Sequence, residues 1–205
     1  MPAYVFIQCF IKYDKETFNY LLKNFILALQ ELGFSEHYTK THVANVKWEL
    51  SKNGFMYTGC NMQSERISFG ENSFFIRPLI EGYTPEGFEG LKGNWIEFSL
   101  MFDEDEVIKD FKTREMDNCA KKVIWTGCNV LSKYFPNTVV YLTDALPWEA
   151  SLGLYENIYS FDLAIVPTNY LNLYNNIPHE FKSIEKNSKL HIVRMKAWGN
   201  SISFI

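Results

Sequence analysis

No Cys-x-x-Cys pair, glycine-rich phosphate loop, Gly-x-Ser-x-Gly elbow or His-Glu-x-x-His helix occurs in the 205 residues of this chain. The absences set aside zinc-framework proteins, dinucleotide and nucleoside-triphosphate enzymes, serine esterases and zinc peptidases of the familiar patterns. No apolar run approaches the roughly 20 residues that a membrane-spanning helix needs. The N-terminal AYVFIQCFI is apolar but lacks a basic flank and a small-residue cleavage site, so it reads as a first strand. Basic charge is also scarce. Lys and Arg number 20 against 24 Asp and Glu, for a net charge of −4. The one basic concentration, KLHIVRMKAW (Lys189–Trp198), is too thin to track a phosphate backbone, so no nucleic-acid partner is expected. A mildly acidic surface suits solubility or a basic protein partner.

The four cysteines, Cys9, Cys60, Cys119 and Cys128, are irregularly spaced. The expectation is reduced thiols without disulfides, in a cytoplasmic protein. Histidines and cysteines are scattered, so no metal and no cofactor are expected. No linker or low-complexity run divides the chain, which predicts a single domain over residues 1–205. The glycine- and proline-bearing stretch EGYTPEGFEGLKGN predicts a long surface loop over 81–94.

What the chain has in quantity is apolar material, 47% hydrophobic and 17% aromatic. Phe18, Leu21, Leu22, Phe25, Leu29 and Leu32 recur at helical spacing after Asp14, a candidate cap, and before Gly33, a candidate C-terminal stop. A second helix is predicted over 113–134, ended by Pro136, with Val123, Ile124, Gly127, Val130 and Leu131 in its apolar stripe. The rest reads as strands. Hairpins are predicted at Asn53-Gly54, within RISFGENSFFIRPLI, and within MKAWGNSISFI at Gly199-Asn200. WIEFSLMF alternates, with Ile96, Phe98, Leu100 and Phe102 on one face and Trp95, Glu97, Ser99 and Met101 on the other. VVYLT and FDLAIV are two further strands. The order predicts an α+β fold: a mostly antiparallel sheet with two principal helices packed on one face.

The tetrapeptide TGCN occurs twice, in YTGCNM and WTGCNV. One copy falls at a strand end and the other inside a helix, so the two cannot build the same site. His37-Tyr38-Thr39 has the form used by two-histidine phosphoesterases, but the second candidate, His191-Ile192-Val193, lacks the hydroxyl. His37 and His42 are five apart, which suits neither one helical nor one strand face. Asp103, Glu104, Asp105 and Glu106 read as a solvated turn favouring the start of a helix. Asp162, inside a strand, must pair or face solvent. With Asp144 and Glu149 it is the candidate polar site for acid–base work. On the second helix, Trp125 lies opposite the apolar stripe, beside Lys121, Lys122 and Asn129. A tryptophan on a polar face is a favoured interface anchor, so these four residues form the candidate partner-binding site.

The segment WTGCNVLSKYFPNTVVYLTDALPWE, with the N-terminal strand and helix, resembles bacterial toxin-immunity proteins in architecture. The resemblance covers about half of the chain. It implies a compact, non-catalytic cytoplasmic protein that neutralises a partner protein, a toxin or a defence effector. An inhibitor encoded by a phage against a host defence would have the same character. The alternative from the carboxylate and histidine residues is a small hydrolase or phosphoesterase.

Overall fold

The computed structural model describes residues 4–14, 16–47, 56–57, 63–87, 91–143 and 158–199. The strands are β1 (Tyr4–Lys12), β2 (Met56–Tyr57), β3 (Glu65–Phe69), β4 (Asn72–Tyr83), β5 (Trp95–Asp103), β6 (Ile108–Asp110), β7 (Glu115–Met116), β8 (Val140–Thr143), β9 (Leu163–Pro167), β10 (Phe181–Lys186) and β11 (Lys189–Arg194). The helices are α1 (Phe18–Glu31), the one-turn α2 (Glu36–Tyr38) and α3 (Glu104–Val107), α4 (Asn118–Tyr134) and α5 (Met195–Trp198). Among the described residues, nine strands form one sheet in the order β10-β11-β9-β8-β1-β5-β4-β2, with β3 also paired to β4; β6 and β7 form a separate ribbon. All the described pairings are antiparallel. The fold is α+β, and α1 and α4 cover one face of the sheet.

α1 forms where its apolar residues recur, and Phe18, Leu21, Leu22, Phe25, Ala28 and Leu29 are buried. Asp14 does not cap it directly. Its carbonyl takes hydrogen bonds from the Thr17 and Phe18 amides, one turn ahead of the helix. The C-terminus closes as the sequence predicts. Gly33 at φ +103° lets its amide donate to the Gln30 carbonyl, and the Phe34 amide then donates to Leu29. α4 begins at Asn118, five residues later than expected, because the Asp117 carboxylate accepts from the Cys119 amide and fixes the first turn there. Residues 111–114 form a turn, and Glu115–Met116 pair as β7. Gly127 permits close approach to the sheet: a Cβ there would lie 2.7 Å from the Ile7 Cδ1.

Alternation sorts the sheet into two faces. Ile7, Cys9, Ile80, Phe98, Leu100, Val140, Leu163 and Ile165 meet the two helices in the main core. On the other face, Tyr141, Ala164, Val166 and Ile192 are covered by Phe161, Phe181 and the 3₁₀ segment Thr168–Tyr174, with Tyr141 and Tyr174 hydroxyls 2.8 Å apart. Cys9, Cys119 and Cys128 are free thiols. Cys9 and Cys128 are buried, and desolvation pushes both thiols up.

Two expectations need correction. The loop predicted over 81–94 is shorter, because β4 continues through Tyr83 and β5 starts at Trp95, and Leu91 packs inward against Phe10 and Tyr83. MKAW is not a hairpin strand but the helix α5. The Gly199 amide donates to the Met195 carbonyl at 2.8 Å and closes the turn, with Ala197 and Trp198 buried. Among the described residues the last hairpin is β10–β11, turning at Asn187 and Ser188, both at positive φ (52° and 59°); residues 200–205 of the predicted Gly199-Asn200 hairpin lie outside the described residues. The Asn53-Gly54 turn and the first TGCN lie outside the described residues, apart from the short β2; the second TGCN is in α4.

Candidate functional site

The register of the central strands builds a polar cluster on the sheet face away from α1 and α4. Glu81 on β4 lies directly opposite Glu97 on β5, and Gln8 on β1 lies opposite Ser99. Facing residues on antiparallel strands have Cβ atoms about 4.5–5.5 Å apart, so the two carboxylates are forced into one neighbourhood. Tyr83 bridges them: its hydroxyl is 2.6 Å from Glu97 Oε2 and 3.1 Å from Glu81 Oε2. The Gln8 side-chain amide donates to Glu97 Oε1 at 2.8 Å. Gln8, Glu97 and Ser99 are buried, at 0%, 1% and 0% exposure, while Glu81 keeps an edge toward solvent.

Desolvation raises the pKa of Glu97, and the hydrogen bonds from Tyr83 and Gln8 oppose the rise. Glu81 is pushed up to about 7 by desolvation, then by the Glu97 charge, against the Tyr83 hydrogen bond. Like charges in one buried neighbourhood cannot both ionise cheaply. The described residues give neither carboxylate an ion pair. Chemically the pair can hold one proton between two carboxylates, or bind a cation.

The candidate partner face on α4 is placed differently from the sequence expectation. Lys122 is exposed, but Lys121 is buried at 5% exposure and Asn129 is half-buried, its amide donating to the Trp125 carbonyl. Trp125 is half-buried, its ring 5.2 Å from His191 and 6.2 Å from Trp198. Lys189 on β11 reaches across to the Ser132 carbonyl and hydroxyl at 2.6 Å. A helical wheel assumes one buried side. Here β11 and α5 extend past α4 and close over a second flank. Trp125→Ala is therefore expected to cost about 2–3 kcal/mol of folding free energy, below the full-burial cost of a large aromatic. Urea unfolding measures it, and near-native stability would restore a free outer face.

Asp144 and Glu149 lie outside the described residues. Asp162 pairs with Arg194 at 3.2 Å, and Arg194 also donates to the Tyr159 and Phe161 carbonyls. Asp162 thus serves the strand-end junction as a paired carboxylate. The acidic turn ties into its surroundings in the same way: Glu104 pairs with Arg114, and Glu106 accepts from the Phe75 amide at 2.9 Å. His37 is exposed on α2, whereas His191 is buried under Trp125 and desolvation lowers its pKa. Among the described residues no group of three or more His, Cys, Asp or Glu converges on a metal position. Nor is any described helix long and apolar enough to cross a membrane.

A second feature lies at the sheet end where β1 finishes and β8 begins. Ile11, Leu21, Tyr134, Phe135 and Pro136 line a groove of about 220 Å³ beneath Tyr20, which is 64% exposed. Thr138, whose hydroxyl donates to the Phe10 carbonyl at 2.7 Å, also borders a smaller recess on the opposite face, beside Trp95, Tyr170 and the 54%-exposed Leu173. The sequence showed Tyr20 only as a residue off the apolar stripe. No protein-family model, curated protein or solved structure matches this chain.

Proposed function

We propose that the protein is a non-catalytic binder that neutralises a basic partner protein, and that the partner seats an apolar side chain in the groove under Tyr20. The observation that carries this reading is the exposed Tyr20 at an apolar groove lined by Ile11, Leu21, Phe135 and Pro136. Tyrosine and tryptophan at the centre of a surface recess are the residue types that dominate interface energies. The net charge of −4 favours a partner of opposite sign and speeds its approach. The resemblance to toxin-immunity proteins points to the same class, with a toxin or defence effector as the partner and the cytoplasm as the compartment.

Tyr20→Ala tests it. The ring is largely exposed, so melting should stay near the wild-type value, while affinity for the captured basic partner should fall by about 2 kcal/mol or more, as at an interface anchor. Wild-type and variant chains are compared by cross-linking capture from source cells, followed by titration of the recovered protein. Equal retention by both chains, or recovery of an acidic partner alone, would sink this reading.

A further inference from the structure

Among the described residues, no cation compensates the two carboxylates on the second sheet face. Glu97 is 1% exposed and faces Glu81 across β4 and β5. An ionised carboxylate in such a place needs a cation or a proton. Beside them are two oxygen atoms without hydrogen-bond partners among the described residues: Gln8 Oε1 and Ser99 Oγ, both on fully buried side chains. The Ser99 hydroxyl lies close enough to bear on the ionisation of Glu97, yet makes no hydrogen bond of good geometry. Buried, unpartnered oxygens beside a pair of carboxylates are what a hard metal ion would satisfy.

We propose that Glu81, Glu97 and Ser99 form a site for a single hard divalent cation of the Mg²⁺ or Mn²⁺ kind, with Gln8 and Tyr83 orienting the carboxylates. Every candidate donor is oxygen, which disfavours zinc and copper. Two carboxylates with a hydroxyl, completed by water, match the way Mg²⁺ is held. Glu81 is the half-exposed member, so it supplies the path by which the ion and its waters enter. The sequence expectation of no metal rested on the scatter of histidine and cysteine. An all-oxygen set assembled from separate strands leaves no such spacing. The site is independent of the groove under Tyr20.

Mn²⁺ binding to the chelator-stripped full chain tests the assignment, read by electron paramagnetic resonance and by calorimetry. The expected result is one Mn²⁺ per chain, displaced by Mg²⁺, with a melting temperature that rises on addition of the ion. Glu81→Gln should weaken binding at least tenfold and abolish the thermal shift, and Ser99→Ala should weaken it less. Glu81→Gln keeps shape and removes charge at the more exposed position, so it tests the site even where Glu97→Gln folds poorly. No saturable binding at millimolar Mn²⁺ overturns the proposal, and so does stoichiometric binding that Glu81→Gln leaves unchanged.

Discussion

Phe98→Ala is expected to destabilise the protein by about 4 kcal/mol, within the range for truncating a buried aromatic. Phe98 is fully buried on β5, and its ring sits 5.0 Å from Phe25 of α1 and 5.1 Å from Phe135 at the end of α4. It touches an aromatic ring from each helix region at once. Its removal leaves a cavity with rigid neighbours on two sides, and the aromatic pairing energy goes with it. For a chain of this size the melting temperature should fall by about 8–16 °C. Urea unfolding measures the loss. A cost below about 2 kcal/mol would mean that the helices collapse into the space, since residual cavity volume sets the penalty.

Stability of the metal-free protein is expected to fall as pH rises from about 4.5 to about 7. Glu81 is raised in the folded state, from an ordinary value of 4.5 to about 7. A raised pKa means that the folded state binds its proton more tightly than the unfolded chain does. The contribution is fully present below the unfolded pKa and is lost as pH climbs through the folded one. Among the described side chains, the groups facing Glu81 are Glu97 across the strand pair and Tyr83 two residues on, and β2 sets Tyr57 at the register position opposite Glu81 on the other side. Gln8 and Ser99 face Glu97, and Arg77 stands farther along the same face of β4. Allowing for solvent screening of the half-exposed Glu81, the change is about 2 kcal/mol. Glu97→Gln should flatten it. The substituted amide would keep an oxygen for the Gln8 amide and donate to the Tyr83 hydroxyl, while removing the like charge. Chemical denaturation across pH 4–8 in chelator decides the matter. An unchanged slope in Glu97→Gln would show that the pair does not control it.

Much of the fold was legible because its signals are local. The apolar spacing of α1, the Gly33 stop and the alternation of WIEFSLMF each depend on residues within one element, and the structure reproduces all three. Errors came where neighbours in space decided. The β10–β11 turn uses Asn187-Ser188, a weaker signal than the Asn-Gly pair on which a hairpin reading relies. MKAW could alternate as a strand, but the Gly199 amide closes it onto the Met195 carbonyl as a helical turn.

The carboxylate cluster was hidden for a related reason. Glu97 and Ser99 were correctly placed on one face of β5, but Glu81 read as the start of a loop, because glycines and a proline follow it. Local periodicity and turn chemistry in the sequence alone determined that this is an α+β chain with two sheet-packed helices, since such preferences act within a few residues. Strand register and the coverage of faces belong to the tertiary structure, because they depend on contacts between residues far apart in the chain. Those contacts set Glu81 opposite Glu97 and folded β11 and α5 over Trp125.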